Sequence, residues 1–241
     1  MASLNVLGFD TATAATVVGL FSERLDEPLE ARDDPEPGER PRHTRQLLAE
    51  IRALLGRADL EVADLDLVAV GTGPGSFTGL RIGVATARAL AQASGARLAG
   101  VSTLRVLAEL REEPPEYGTV VVPVIDARRG EVFVAGYRDG AEVFRPHAMS
   151  PDALAEQARA SGAGVHRPWL AVGDGAVRFR ELLVEAGMTV PEPPSPVHRV
   201  SAVSVCRLGA RAEPAPRTAV VPDYLRLPDA EEALRARTRR R

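Results

Sequence analysis

Apolar and polar positions change rhythm several times along the chain, and each change predicts an element. Residues 4–9 (LNVLGF) are apolar enough to predict a buried strand, closed by the polar turn Asp10-Thr11-Ala12-Thr13. Residues 16–21 (TVVGLF) predict a second strand antiparallel to the first across that turn, and 29–32 a third. From His43 the period becomes helical. Leu47, Leu48, Ile51, Leu54 and Leu55 recur on one side, with Arg45, Glu50, Arg52 and Arg57 opposite, so 43–55 reads as an amphipathic helix with Gly56 at C′. Residues 65–70 (LDLVAV) predict another buried strand. The glycine-rich run GTGPGSFTGLRIG at 71–83 follows, with Ser76 placed to cap a helix over 77–94. Residues 97–101 predict a short strand, and Ser102 or Thr103 caps a helix reaching Leu110.

The second half opens the same way. Residues 119–126 (TVVVPVID) form an apolar run that ends in an aspartate, and 131–137 alternates. Asp139-Gly140 signals a hairpin, and 141–145 returns. Ser150-Pro151 is a cap followed by proline at the first helical position, opening a helix to Ala160. A strand over 169–172 precedes the turn Gly173-Asp174-Gly175-Ala176; helices over 177–186, ended by Gly187, and 201–212 follow. Asp10 and Asp126 hold matching positions in the two halves. That echo predicts a duplicated α/β architecture with a cleft between its halves. The predicted boundary is Glu112-Glu113-Pro114-Pro115, giving subdomains over 1–110 and 111–212. The helix over 201–212 is placed to pack back on the first. Residues 213–241 form an extension whose arginine-rich end (RARTRRR) reads as a frayed tail.

Composition narrows the function. With 241 residues and 45% hydrophobic content there is ample material for a core, although only 4% is aromatic. A formal charge of −3 gives no global basic field for nucleic acid. All 30 basic residues are arginine, which removes a phosphate-loop lysine, a kinase strand lysine and Schiff-base chemistry. Cys206 is the single cysteine, which suits a reducing compartment. The start MASLNVLGFD has no basic leader, and no apolar run approaches membrane-spanning length, so the expectation is a cytoplasmic protein without membrane contact.

Catalytic patterns are missing. His43, His147, His166 and His198 do not fall at metal-binding spacing, and there is no H-x-x-x-H or HExxH motif and no cysteine cluster. Ser76, flanked by Pro74 and Thr78, fails the nucleophile-elbow pattern, and so does Ser102, followed by Leu104. No metal site and no catalytic residue is expected. Phosphate binding stays open: Asp10, Thr11 and Thr13 in the first turn, Gly73, Gly75 and Ser76 at the central helix start, and Asp126, Gly173 and Gly175 in the second half are the candidate nucleotide contacts. Each turn is equally an ordinary tight connection. In the helix over 77–94, Gly79, Gly83, Ala87 and Ala91 line one face, a ridge smooth enough for a sheet of the same chain or for a partner helix.

These residues carry a resemblance. GTGPGSFTGLRIG closely resembles the signature of the bacterial TsaB family, the tRNA threonylcarbamoyladenosine biosynthesis proteins. LGFDTAT, HTRQLL, GVSTL, IDARRGEVF, VGDGA and PDYLR follow in the family's order from residue 4 to about 226. The resemblance implies an actin-like (ASKHA) fold of two related subdomains, with Asp10 and Asp126 at phosphate-loop positions. It implies a noncatalytic partner of the paralogous transferase TsaD, working with the ATPase TsaE. The transferase moves a threonylcarbamoyl group onto the adenosine next to the anticodon of ANN-reading tRNAs, so tRNA is met through the complex. The missing H-x-x-x-H motif sets the chain apart from the metal-containing transferase, and nothing supports the older glycoprotease label. An ATP or ADP at a degenerate or complex-dependent site is the one cofactor left open. The resemblance also places the heterodimer interface, or a homodimer's, on the helices starting near His43 and Ser76. His43, Leu47, Ile51, Phe77, Gly79, Leu80 and Gly83 are the expected contacts. The competing reading is a nucleotide-binding ASKHA-type ATPase or kinase acting alone.

Overall fold

The structure is a computed structural model that describes residues 4–36, 38–110, 114–164, 167–213 and 216–225. The boundary residues Glu112 and Glu113, His166, Arg226 and the arginine-rich tail lie outside the described residues. Strands β1 (Asn5–Asp10), β2 (Thr16–Ser22), β3 (Leu29–Asp33), β4 (Leu67–Gly73) and β5 (Arg97–Ser102) form one sheet in the order β3-β2-β1-β4-β5. β1 runs antiparallel to β2 and parallel to β4. A second sheet has the order β8-β7-β6-β9, built from β6 (Val120–Arg128), β7 (Glu131–Arg138), β8 (Ala141–Met149) and β9 (Trp169–Val172). Here β6 is antiparallel to β7 and parallel to β9. Each sheet is thus a three-stranded meander followed by a parallel return beside its first strand. The duplication read from Asp10 and Asp126 is a duplication of topology.

Helices α1 (His43–Arg57) and α2 (Phe77–Ser94) cover one face of the first sheet. Their Leu47, Ile51, Leu54, Val84, Ala87 and Ala91 pack with Leu7, Phe9, Val18, Leu20, Val68 and Val70, the alternate residues that the strands point to that side. The cap readings are accurate. Ser76 Oγ accepts the Gly79 N–H at 3.3 Å, Ser102 Oγ accepts that of Arg105 at 3.4 Å, and Ser150 Oγ that of Ala153 at 3.1 Å. Gly56 is not a C′ residue. The helix continues through Arg57, the Leu60 N–H closes on the Leu55 carbonyl at 3.0 Å, and Asp59 takes the left-handed turn at φ 51°. Burial of Leu60 draws the chain inward later than a glycine stop would. The helix capped by Ser102, α3 (Thr103–Leu107), stops short of Leu110. The helix read over 177–186 starts earlier and is two, α5 (Asp174–Arg178) and α6 (Arg180–Glu185), broken where Phe179 turns in toward the core.

The other face of the first sheet receives α7 (Ala202–Arg211). Gly19, Gly8, Ala69 and Ala99 pair in register across β2, β1, β4 and β5, so they form a furrow of small residues. A Cβ on Gly8 would stand 2.6 Å from Cys206 Sγ, and one on Gly19 would stand 2.8 Å from the Ala202 backbone. The helix is therefore seated directly on the sheet. Cys206 is inside this contact, where burial pushes its thiol up to about 12, so it stays an inert thiol. α3 and α7 then sit between the two sheets, with Leu104, Val106, Val200 and Val205 meeting Val121, Ile125, Phe133 and Tyr137 of the second lobe. α4 (Pro151–Ala160) and α6 cover the second sheet's far face.

Candidate functional site

The matching aspartates end their strands with the same local bond. Asp10 Oδ1 accepts the Ala12 N–H at 2.6 Å, and Asp126 Oδ1 accepts the Arg128 N–H at 2.9 Å. An aspartate closing on the amide two residues ahead is an Asx turn, and it fixes each strand-to-strand return. Their second oxygens differ. Asp10 Oδ2 accepts the Thr103 hydroxyl at 2.7 Å, and the whole residue is buried. Gly71 lies against it so closely that any Cβ there would overlap the carboxylate. Burial pushes the Asp10 carboxyl above its usual range, opposed by the Thr103 hydroxyl, the Ala12 amide and Arg32. Asp126 Oδ2 instead meets Arg178 at 2.6 Å and Arg128 at 3.5 Å, both guanidinium groups half or more exposed.

A cleft of about 610 Å³ opens between the lobes. Of the candidate nucleotide contacts, Thr13, Gly75, Ser76 and Asp126 line it, together with Phe77 and Arg128. Asp10 and Thr11 do not reach it. They are buried beneath, and the Thr11 hydroxyl donates to the Gly79 carbonyl at 2.8 Å. Gly73 packs on Leu80 and the Asp223 backbone instead. In the second lobe the glycine turn is occupied from within. Asp174 Oδ1 accepts the N–H groups of Asp126 at 3.1 Å and of Gly175 at 2.9 Å, while the Gly173 N–H donates to His198 Nδ1 at 3.1 Å. Burial, joined by the Asp126 charge, pushes the Asp174 carboxyl up against these amide bonds. The Ser76 N–H likewise donates to the Ala12 carbonyl at 2.7 Å. The amides of Ala12, Ser76, Asp126, Gly173 and Gly175, which could otherwise face a phosphate, are thus paired inside the chain.

Asp223, Tyr224 and Leu225 form part of the cleft wall. The Asp223 N–H donates to the Thr72 carbonyl at 2.7 Å, and the Tyr224 and Phe77 rings lie 5.1 Å apart. Arg81 rests over the Phe77 ring at 4.6 Å, and burial raises the Asp223 carboxyl. Thr103, Arg178 and His198 partner these turns from distant positions and carry no local sequence signal. Asp223 and Tyr224 lie within PDYLR, where no local pattern places them.

The expected interface residues are largely inside the chain. His43, Leu47, Ile51, Gly79, Leu80 and Gly83 are buried, and only Phe77, 38% exposed, reaches the surface. Gly79 and Gly83 sit against Thr11, so the smooth ridge serves the β1–β2 turn of its own chain. Apolar periodicity marks the side of a helix that packs, and here that side packs on the sheet. His43 Nδ1 pairs with the Thr16 hydroxyl at 2.8 Å, and burial lowers the imidazole pKa against opposing pulls from the Thr13 backbone and Asp33. Outward, the two helices present Arg45, Leu48, Ala49 and Arg52 from α1 and Thr78, Arg81, Ala85 and Ala89 from α2. Among the described residues no three His, Cys, Asp or Glu side chains gather as a metal site would require, and no helix is long and apolar enough to cross a membrane.

A family model described as "TsaD: tRNA N6-adenosine threonylcarbamoyltransferase" matches residues 35–234. The tRNA threonylcarbamoyladenosine biosynthesis protein TsaB of Escherichia coli (strain K12) is 31% identical over 192 residues, 78% of this chain and 78% of that protein. A crystal structure from Pseudomonas aeruginosa, of an uncharacterized protein with similarity to peptidase YEAZ, superposes with a TM-score of 0.73 at 26% identity, covering 92% of this chain and all of that one. The ROK hexokinase of Thermus thermophilus shares the fold alone, with a TM-score of 0.50 at 11% identity over 86% of this chain and 99% of its own. The lobes are thus those of an actin-like (ASKHA) α/β fold. With the signature loop seated at the head of α2, matched over most of its length, the chain belongs to the TsaB family.

Proposed function

We propose that this chain acts in tRNA threonylcarbamoyladenosine biosynthesis as a noncatalytic partner that activates the TsaD transferase, with TsaE as the associated ATPase. The names of its relatives support the pathway. The observation that carries the noncatalytic part is the pairing of backbone amides at and beneath the cleft: that of Ala12 is bonded to the buried Asp10, and those of Asp126 and Gly175 are bonded to Asp174, which lines the cleft. A triphosphate would have to displace those carboxylates and their charge before gaining the same bonds. The chain has no lysine, and no metal-ligand cluster lies among the described residues, so arginine is the counter-charge these residues offer for phosphoryl transfer. The docking surface follows from the helices: α1 and α2 present their outer faces, with Phe77 at the edge, while the residues beneath hold those faces rigid. tRNA meets the chain through the complex, and the compartment is the cytoplasm.

Modified nucleoside formed on ANN-reading tRNA by TsaD and TsaE, with and without this chain, is the direct test, read by mass spectrometry of digested tRNA. Addition of the chain should raise formation at least tenfold, in order-of-magnitude terms; no rise overturns the activator reading. The cleft and the kinase-like fold favour one other reading, a stand-alone ATPase or kinase. Steady ATP turnover by the isolated chain would establish it.

A further inference from the structure

The outermost strand of an open sheet carries unpaired backbone groups that invite a strand from another chain. Of the four edge strands in the two sheets, three are charged, interrupted by proline or paired. β3 carries Glu30, Arg32 and Asp33, and β8 carries Glu142, Arg145 and Pro146. β9 is paired along its edge by Thr189, whose N–H donates to the Trp169 carbonyl at 2.8 Å and whose carbonyl accepts the Ala171 N–H at 2.9 Å. β5 (RLAGVS) has a single charge, at its first position, and no proline. The Arg97 N–H turns toward β4 and donates to the Asp66 carbonyl at 3.0 Å, so alternation along the strand turns the backbone groups of Leu98 and Gly100 outward. Among the described residues no hydrogen bond from outside the sheet reaches either one.

This edge is covered by residues 216–225, which cross β5 without joining it as a strand. Arg217 donates to the Gln92 side chain at 3.2 Å and to the Ala96 carbonyl at 2.9 Å. Arg88 of α2 donates to the carbonyls of Thr218 at 3.3 Å and Val220 at 2.8 Å. Val220 is buried, and a Cβ on Gly100 would stand 3.2 Å from its Cγ1, so this side chain lies over the middle of the edge. Apart from the bond between the Asp223 N–H and the Thr72 carbonyl, arginine side chains and apolar contacts hold the segment. Such a segment opens locally more readily than a strand within a ladder.

We propose that residues 216–225 are a detachable strap over a strand-addition site on β5, and that the occupant of the opened site is β5 of a second copy of this chain. The edge is self-complementary. In an antiparallel pair centred on Ala99, Leu98 of each copy faces Gly100 of the other, and each such pair exchanges both backbone bonds. Arg97 then faces Val101 of the other copy, so no like charges are opposed, and the two Ala99 side chains meet without bulk. The inference does not depend on the partner reading above.

The test uses the full chain. R88A/R217A removes the arginine fastenings, and V220D releases the strap by placing a charge where Val220 is buried. Because R88A/R217A changes no core residue, it carries the test should V220D fail to fold. Amide exchange read by NMR follows the strap at Val220 and Asp223 and the edge at Leu98 and Gly100. Ala99→Cys, added to each chain, reads the pairing directly: facing residues of a non-hydrogen-bonded antiparallel pair lie within disulfide reach, and the native Cys206 is buried. In the released chains the strap amides should exchange at least about tenfold faster, and the Leu98 and Gly100 amides about tenfold slower as concentration rises. Oxidation should link the released chains through residue 99 and leave the chain carrying Ala99→Cys alone monomeric. The inference is overturned if the strap amides exchange no faster in either variant, since the strap is then not detachable. It is also overturned if released chains leave Leu98 and Gly100 unprotected at every concentration and their thiols unlinked, whether or not they associate elsewhere. Equal cross-linking with the strap fastened and released would show that the strap guards nothing, and overturns it as well.

Discussion

The Asp10 and Asp126 turns carry out the same backbone task in opposite surroundings. Both close on the amide two residues ahead, at the end of the first strand of their sheet. In the first lobe the second carboxylate oxygen is held by a neutral hydroxyl in a fully buried pocket; in the second it is held by arginines at the rim of the cleft. Duplication preserved the turn and let its environment diverge. A buried carboxylate bonded to uncharged donors is costly to disturb, because each partner left behind is an unsatisfied buried group. The Asp126 side chain is itself only 8% exposed, but its arginine partners are half or more exposed and there are two of them, so losing one guanidinium costs less.

The largest expected effect comes from filling the space over Asp10. Gly71→Ala drives a Cβ into the carboxylate, and urea denaturation should show a loss of about 3 kcal/mol or no folded protein. A fully stable variant would mean that the pocket yields and is not close-packed. Next is the contrast between the second partners. Thr103→Val should cost about 1–3 kcal/mol by leaving a buried oxygen without its donor. Arg178→Ala should cost at most about 1 kcal/mol. Equal losses at the two sites would break the comparison.

The pH dependence sharpens it further. Because burial raises the folded-state pKa of Asp10, its protonated form is favoured by folding. The stability it contributes is complete below its unfolded value of 3.8 and is lost as pH rises through the higher folded value. Asp10→Asn, measured against wild type at a series of pH values, should become relatively more stable over that rise. A difference that stays constant with pH would show that Asp10 titrates normally. Asp174 shifts in the same direction and should add to the wild-type slope. His43 shifts the opposite way: its contribution is present above 6.5 and lost as pH falls through its lowered value. The smallest effect is expected at Arg128, whose side chain is 75% exposed: Arg128→Ala should alter the melting temperature by no more than about 2 °C.

Local pattern carried much of this protein into view. Strand and helix periods are set by residues two to four apart, so β1, β2, α1, α2 and the Ser76, Ser102 and Ser150 caps could be read directly from the sequence. The signature loop and the landmarks around it identified the family for the same reason: each is contiguous. The repeated aspartate-ended strand disclosed the duplication.

Tertiary structure alone decided where those residues point and what they touch. Thr103 lies 93 positions from Asp10, and Arg178 lies 52 from Asp126, so no local spacing could join them. Gly8 and Gly19 look like defects in strands until register aligns them into the furrow that seats α7. The Gly79 and Gly83 ridge could have faced a partner or its own chain, since a helix's sequence defines a smooth side without naming its neighbour. Packing on Thr11 turned that side inward and left the arginine and alanine faces outside. Sequence fixes periodicity and chemistry over a few residues, whereas contact, burial and the resulting charge state depend on which distant strands and helices the fold brings together.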